Sequence, residues 1–332
     1  MTALKLGLAL GSGAARGWAH LGVIRRLEQI GLRPQVVTGA SIGSLVGAAY
    51  ASGQLDVLEE WIAKLRWLDV LTMLDTTLGR GGFISGNKLM NTISGLLEDQ
   101  PIESLDVGFG AVATDLQTGG EVWLREGSML EAVRTSSGLP GLFVPVLREG
   151  RWLIDGGVVN PVPVSLCHAL GADLVIAVNL NTDGLDVHRR QREDRTVPSM
   201  APPSEEGGEE DEKNENEILE RLGELIGNLM PNQAPSAREE KPAEPSLFDV
   251  MASTIAIMQD RITRSRMAGE PPVVQICPRL GGMQIMDFHK ATPAIEEGER
   301  ATDRVADDLE YLKELLAADL ERAAPAKENP DR

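Results

Sequence analysis

The segment Gly39-Ala40-Ser41-Ile42-Gly43 has the pattern G-x-S-x-G, in which a serine can act as a nucleophile. Such a serine lies on a sharp turn between a strand and a helix, in a strained backbone conformation. The flanking glycines remove Cβ atoms that would clash where strand and helix approach each other. An apolar run precedes the turn and the small-residue segment SLVGAAYAS follows it. We therefore predict that Ser41 is a nucleophile; an ordinary glycine-rich turn is the alternative.

A second segment, GSGAARG at residues 11–17, also lies between an apolar run and a helical pattern. Its consecutive small residues expose backbone N–H groups, as an oxyanion hole requires. Such a loop can equally bind a phosphate, and Arg16 suits either anion. A dinucleotide site would place an acidic residue about 20 residues further on, at the end of the next strand. The chain has Thr38-Gly39-Ala40-Ser41 there instead, which disfavours a nucleotide-binding Rossmann-like protein.

A third segment, Asp155-Gly156-Gly157, ends the apolar run Trp152-Leu153-Ile154. A carboxylate at this position lies in a turn at the edge of a sheet, either as a catalytic group or as part of a plain Asp-Gly turn. A Ser-His-Asp triad would also need a histidine. His289 follows Ser41 and Asp155 in the chain order of hydrolases and is the only serious triad candidate, but its surroundings are more typical of the beginning of a helix than of a catalytic loop. The surroundings of the other three histidines, His20, His168 and His188, are more typical of structural or surface residues.

The elements around these segments predict an α/β fold. Apolar runs alternate with helical patterns at about residues 17–30 and 43–52, which favours βαβ units and a mainly parallel sheet. The predicted strands are residues 4–10, 35–39, 107–114, 121–125, 152–155 and 173–180. Near the carboxyl end we expect a helix at 247–267, a strand at 272–277 and a charged helix at 290–322.

The composition and charge limit the function classes. The 332 residues carry a net charge of −18, which argues against a nucleic-acid partner. Residues 184–245 are rich in charge, Pro and Gly, and we predict a disordered acidic insertion with one helix at 217–229. It separates a core at 1–183 from a completing segment at 246–322, and 323–332 is a predicted disordered tail. The amino-terminal apolar run is too short for a signal peptide, and no run approaches the length of a membrane span, so we expect a cytoplasmic protein.

The motifs GSGAARGWAHLGV, GASIGSLVGA and DGG occur in the order and spacing of the patatin-like phospholipases, and resemble especially the bacterial RssA-type group. RTSSGLPGLFVPV, at 134–146, is similar to the segment upstream of that family's catalytic Asp. The resemblance covers about residues 5–181 and 247–303. It implies a three-layer α/β/α sandwich with a mostly parallel central sheet. It also implies a serine acyl hydrolase that cleaves carboxylic esters, with lipid acyl chains as the expected substrate and neither metal nor cofactor.

Carried over by position, the resemblance makes Ser41 the nucleophile and Asp155 the general base of a Ser–Asp dyad that forms an acyl-serine. It implies an oxyanion-hole loop that contains Gly11, Gly13, Ala14 and Arg16. The glycines that support the motifs are Gly39, Gly43, Gly156 and Gly157. The chain departs from the family at Ser12 and Ala14, where many members have glycine. A catalytically silent member that binds a lipid or a protein is the main alternative.

The segment 55–74 has a row of large apolar residues at helical spacing, including Trp61 and Leu65. Two interpretations fit the pattern: an interfacial lid that brings the protein into peripheral contact with a membrane, or a helix packed on the sheet. The packed helix is favoured as the more ordinary interpretation, and the acidic net charge also disfavours binding to an anionic membrane unless that charge is confined to the insertion.

Overall fold

The computed structural model describes residues 3–73, 82–84, 86–182 and 247–323. The predicted insertion at 184–245, with its helix at 217–229, and residues 324–332 of the predicted tail lie outside the described residues. The proposed division at 183 and 246 therefore stays a prediction.

Ten strands are described. In chain order they are β1 (Leu6–Leu10), β2 (Val36–Ala40), β3 (Gly82–Ile84), β4 (Gly108–Asp115), β5 (Glu121–Leu124), β6 (Gly141–Phe143), β7 (Val146–Arg148), β8 (Arg151–Asp155), β9 (Leu174–Val178) and β10 (Val274–Ile276). Eight of them form one sheet. Seven follow the order β10-β9-β1-β2-β4-β8-β7, in which β2 and β8 pair with the same edge of β4, and the eighth, β5, pairs with the opposite edge. The five strands from β10 to β4 run parallel, whereas β5 and β8 are antiparallel to β4. β3 and β6 form a separate parallel pair.

The described α-helices are α1 (Ala19–Gln29), α2 (Ile42–Ala51), α3 (Leu55–Ile62), α4 (Trp67–Met73), α5 (Asn87–Leu96), α6 (Met129–Ser136), α7 (Val164–Ala169), α8 (Leu247–Gly269), α9 (Ala291–Asp303) and α10 (Ala306–Ala323). None of the described helices is long and apolar enough to cross a membrane.

The central sheet is covered on both faces. Along β1, Leu8 and Leu10 join a core that includes α1, α2 and α9, whereas Ala9 joins a second core that includes α7. The same alternation is seen in β9, as expected for a strand that is buried on both sides. This arrangement confirms the predicted three-layer α/β/α sandwich with a mostly parallel sheet.

Two predicted helices are each divided into two. The segment 55–74 bends between α3 and α4, where Asp69 accepts a hydrogen bond from the Arg66 backbone N–H at 2.9 Å. A carboxylate at the third position that reaches back to the amide before a helix is a capping interaction, and it begins a new helix here. The predicted helix 290–322 breaks at Arg304 and Val305, so that α9 packs across α1 while α10 buries Leu309 and Leu312.

Candidate active site

The pairing register of β4 brings Ser41 and Asp155 together. Ala40, the last residue of β2, pairs with Val112 of β4, and Asp155, the last residue of β8, pairs with Ala113. Because β5 occupies the opposite edge of β4 at these positions, β2 and β8 lie on the same edge. The two strands run in opposite directions and meet at their carboxyl ends. Ser41 and Asp155 therefore face one junction, although they are 114 residues apart in the sequence.

Ser41 has the strained backbone expected of a nucleophile on a tight turn. Its φ of 56° and ψ of −126° lie outside the regions that residues with a side chain usually occupy. The Ser41 N–H donates to Ser136 Oγ at 3.0 Å, and the Ser41 carbonyl accepts from Ser44 Oγ at 2.6 Å. These bonds hold the turn at the amino end of α2, where the helix dipole favours negative charge.

The glycines on either side of Ser41 are required by close backbone contacts. A Cβ on Gly39 would lie 2.3 Å from the backbone carbon of Gly43, and one on Gly43 would lie 2.2 Å from the Leu10 carbonyl oxygen. The turn that presents Ser41 therefore has no space for a side chain at either glycine.

Asp155 is fully buried, and burial raises the pKa of its carboxyl group to about 6. The nearby Ser41 hydroxyl and a 2.7 Å hydrogen bond from the Gly157 N–H to Oδ1 oppose that rise. Oδ2 has no hydrogen-bond partner of good geometry among the described residues, although the Ser41 hydroxyl lies close enough to affect the pKa of this carboxyl group. Such contacts commonly tighten only when substrate binds. The raised pKa makes this carboxylate a better proton acceptor than an ordinary aspartate.

Most backbone amides of the glycine-rich loop already have acceptors. Those of Gly11, Ser12, Ala15 and Arg16 donate to carbonyl oxygens at 2.8–3.2 Å. For the amides of Gly13 and Ala14 the described residues provide no recorded acceptor. Ala14 lines the same cavity as Ser41. The amides of Gly13 and Ala14 are therefore the ones that can bind an oxyanion.

Arg16 fastens this loop to the residues after β9. Its guanidinium donates to the Gly13 carbonyl at 3.4 Å, to the Leu180 carbonyl at 3.5 Å and to Asn181 Oδ1 at 3.2 Å. These contacts join the glycine-rich loop to Leu180 and Asn181, which follow β9 in the chain.

Ala14 occupies a conformation that favours glycine, with φ 49°. We expect Ala14→Gly to raise the free energy of unfolding by about 0.5 to 1 kcal/mol, because relief of the left-handed strain exceeds the added entropy of the unfolded chain. Urea denaturation measures this change. Glu149→Gly is the matched control, since Glu149 has φ 50° in the turn between β7 and β8, outside the site. A loss of stability in Ala14→Gly alone would show that the alanine side chain contributes contacts that outweigh the strain.

Within the described residues, the hydrogen bonds and ring contacts of the histidines are made with groups other than Ser41 and Asp155. Buried His20 donates from Nε2 to the Gly11 carbonyl at 2.8 Å, and burial lowers its pKa to about 4, so it is neutral and supports the loop. His168 Nδ1 lies 2.9 Å from the Ala172 carbonyl, and the ring of His289 packs edge-on against Trp67. His188 lies outside the described residues. The described residues include no group of three or more His, Cys, Asp or Glu that could hold a metal ion.

An apolar cavity opens beside Ser41. It measures about 1030 Å³ including its opening to solvent, and among the described residues that line it Ser41 and Ser137 are the only polar ones. Segment 55–74 forms part of its wall: Trp61 of α3 and Leu65, between α3 and α4, line the cavity, and Leu58 is fully buried. Leu68, which follows Leu65 at helical spacing, is 47% exposed because the bend redirects α4.

Sequence reasoning missed two groups at the site. Ser136 bonds to the backbone of the nucleophile, and Thr114 Oγ1 donates to the Asp155 carbonyl at 2.8 Å. Ser136 lies in the segment RTSSG at residues 134–138, whose resemblance to the family could have drawn attention to it. Thr114 lies inside an apolar strand, where no local pattern marks it.

The chain is similar to several known proteins and to one family model. The family model described as "Patatin-like phospholipase" matches residues 8–168. A protein of Mycobacterium tuberculosis described as an uncharacterized NTE family protein is 30% identical over 340 residues, which cover 95% of this chain and 94% of the relative. The neuropathy target esterase of Drosophila melanogaster is 33% identical over 190 residues, covering 55% of this chain and 13% of the relative. A crystal structure of VipD from Legionella pneumophila covers 92% of this chain and 67% of its own at 13% identity, with a TM-score of 0.41.

The match to the mycobacterial protein extends through nearly the whole of both chains. The family model spans the strands and turns that carry Ser41 and Asp155. On both grounds the chain belongs to the patatin-like phospholipase family.

Proposed function

We propose that the protein is a serine acyl hydrolase that cleaves carboxylic esters of lipids by a Ser41–Asp155 dyad. The observation that carries the proposal is the strained Ser41, which faces a buried carboxylate of raised pKa at the edge of an apolar cavity. The family and the esterase name of the Drosophila relative support hydrolysis of an ester. The apolar lining favours an acyl chain as the part of the substrate that is bound.

The mechanism follows from the positions of these groups. Ser41 Oγ attacks the ester carbonyl carbon while Asp155 Oδ2 accepts its proton. The carbonyl oxygen becomes an oxyanion, which accepts hydrogen bonds from the amides of Gly13 and Ala14. The C–O bond to the alcohol breaks, and the leaving alkoxide takes the proton from Asp155. The product of this half-reaction is an acyl-serine.

The second half-reaction regenerates the enzyme. Asp155 removes a proton from a water molecule that attacks the acyl-serine carbonyl, and the same amides stabilise the second oxyanion. When this intermediate collapses, Ser41 Oγ recovers the proton and the carboxylic acid is released. The acyl chain occupies the cavity throughout, which positions the carbonyl carbon near Ser41.

Reaction with a fluorophosphonate probe, followed by mass mapping of the labelled peptide, tests this proposal. We expect one covalent label on Ser41 in the wild type and none in Ser41→Ala, because only an activated serine reacts readily. Ser137→Ala is the matched control, since Ser137 is the other serine in the cavity lining, and it should label as the wild type does.

The labelling is run with and without lipid vesicles, so that a closed cavity cannot be mistaken for an inert serine. Folded wild-type protein that stays unlabelled under both conditions would contradict the proposal. That result would favour the catalytically silent, lipid- or protein-binding alternative. A label on Ser137 instead of Ser41 would contradict the assignment of the nucleophile.

A further inference from the structure

A buried hydrogen-bonded group lies behind the glycine-rich loop, outside the dyad. It consists of Ser12, Asn181 and Gln259, each no more than 4% exposed. Gln259 Nε2 donates to Ser12 Oγ at 3.2 Å, and Asn181 Nδ2 donates to Gln259 Oε1 at 3.2 Å and lies 3.3 Å from the Ser12 carbonyl. We call these three residues the amide network. They are distant in the sequence, with 247 positions between Ser12 and Gln259.

The amide network contacts both halves of the candidate site. On one side, Ser12 is part of the glycine-rich loop, and Asn181 accepts from Arg16, which also bonds to the Gly13 carbonyl. On the other side it packs against the Asp155 turn: a Cβ on Gly157 would lie 2.5 Å from Gln259 Nε2 and 2.6 Å from Ser12 Oγ. Gly157 is the residue whose N–H donates to Asp155 Oδ1.

Gln259 is held on a helix that is anchored beyond the network. One end of α8 packs Met251 against Gly141, where a Cβ would meet its Cε at 2.4 Å. Towards the other end, Arg266 binds Glu121 Oε2 at 2.5 Å and lies 3.5 Å from the Val159 carbonyl. The helix therefore lies across the Asp155 turn and is fixed on both sides of it. It is also outside residues 8–168, which the family model matches.

We propose that Gln259 is a positioning residue that fixes the oxyanion-hole loop and the Asp155 turn relative to each other. This positioning role rests on the proposed function. A buried amide keeps its orientation when each of its groups is bonded, and Gln259 donates to one partner and accepts from another. Because Ser12 Oγ accepts from Gln259 Nε2 and both atoms pack against Gly157, loss of the amide leaves Ser12 free to shift. The loop amides and the Asp155 carboxylate would then lose the mutual geometry that the reaction needs.

The test compares steady-state hydrolysis of a soluble short-chain p-nitrophenyl ester by five forms of the full chain: the wild type, three single variants and one double variant. Gln259→Met keeps the length of the side chain but neither hydrogen bond, and Ser12→Ala keeps the Cβ but not the hydroxyl. We expect each to lower kcat about tenfold and to leave KM within about twofold, since substrate contacts are intact while the transition state is less well stabilised. Thr263→Val on the same helix is the control. Thr263 is buried, and its hydroxyl has no hydrogen-bond partner among the described residues, so kcat should not change.

The double variant separates positioning from general loss of stability. Because both single changes break the same unit, Ser12→Ala with Gln259→Met should be no slower than the slower single variant. Multiplied effects, or a lowered Tm with wild-type kcat in Gln259→Met, would overturn the inference while leaving the dyad intact. A wild type with no turnover and no Ser41 labelling would instead mark failure of the proposed function.

Discussion

Asp155→Asn is expected to raise the free energy of unfolding at pH 7 by up to about 3 kcal/mol while it lowers kcat by about 10³-fold. Both effects come from the same buried charge. Burial raises the pKa of Asp155 from 3.8 to about 6, and each unit corresponds to about 1.4 kcal/mol of preference for the neutral form. Asparagine is neutral and can still accept from the Gly157 N–H, but it cannot accept a proton from Ser41.

The size of this stabilising effect depends on pH in a defined way. The folded protein binds the Asp155 proton more tightly than the unfolded chain, so between about pH 4 and 6 wild-type stability falls as the pH rises. Asn does not titrate in that range. The stability difference between variant and wild type should therefore be small near pH 4 and fully present above about pH 6. The wild-type kcat/KM should fall tenfold per unit below about pH 6, because the base becomes protonated. Urea denaturation and ester hydrolysis at several pH values measure both.

Asp115→Asn is the matched control for this prediction. Asp115 is also mostly buried and ends the neighbouring strand β4, but hydrogen bonds from the backbone N–H groups of Gln117 and Thr118 lower the pKa of its carboxyl group. Its charge therefore stabilises the fold above about pH 4, and that contribution is lost as the pH falls through the lowered pKa. The variant should lose stability at pH 7 and keep the wild-type kcat. If Asp155→Asn lost stability as well, the raised pKa would be wrong.

The local parts of the candidate site could be predicted from the sequence because their geometry is encoded in short segments. The turn at Ser41 needs glycines at fixed positions, and the contacts of Gly39 and Gly43 explain why. The strand that ends at Asp155 is likewise marked by an apolar run followed by two glycines. In both cases the residues that bend the chain are adjacent to the residue that is presented.

The parts that could not be predicted depend on distant pairing. Ser41 and Asp155 meet because β2 and β8 share one edge of β4, and this register leaves no pattern in either segment. No sequence pattern marks Gln259 as a functional residue. Its partners Asn181 and Ser12 lie 78 and 247 positions away, and the sequence of its helix is that of an ordinary helix. The bend at Arg66 was hidden for a different reason: apolar residues continue at helical spacing past it, while a single capping carboxylate divides the helix.

The glycine contacts at the Ser41 turn support a second large effect, on folding. We expect Gly39→Ala to lower the free energy of unfolding by about 4 kcal/mol or more, or to prevent folding. The added Cβ would lie 2.3 Å from the carbon and oxygen of the Gly43 carbonyl group and 2.4 Å from the Ser44 nitrogen. These are backbone atoms of the turn and of α2, so no side chain can rotate away to make space.

Gly95→Ala is the matched control, because the same substitution should there have the opposite sign. Gly95 lies in α5 and a Cβ would meet nothing within 4 Å. Alanine in an unobstructed helical position should stabilise the protein by about 0.5 to 1 kcal/mol. Circular dichroism during urea denaturation measures both variants. A Gly39→Ala protein that folds with near wild-type stability would mean that β2 and α2 can move apart, and with them the strained conformation of Ser41. Retained fluorophosphonate labelling in that protein would further show that the activation of Ser41 does not depend on the close contact of these two elements.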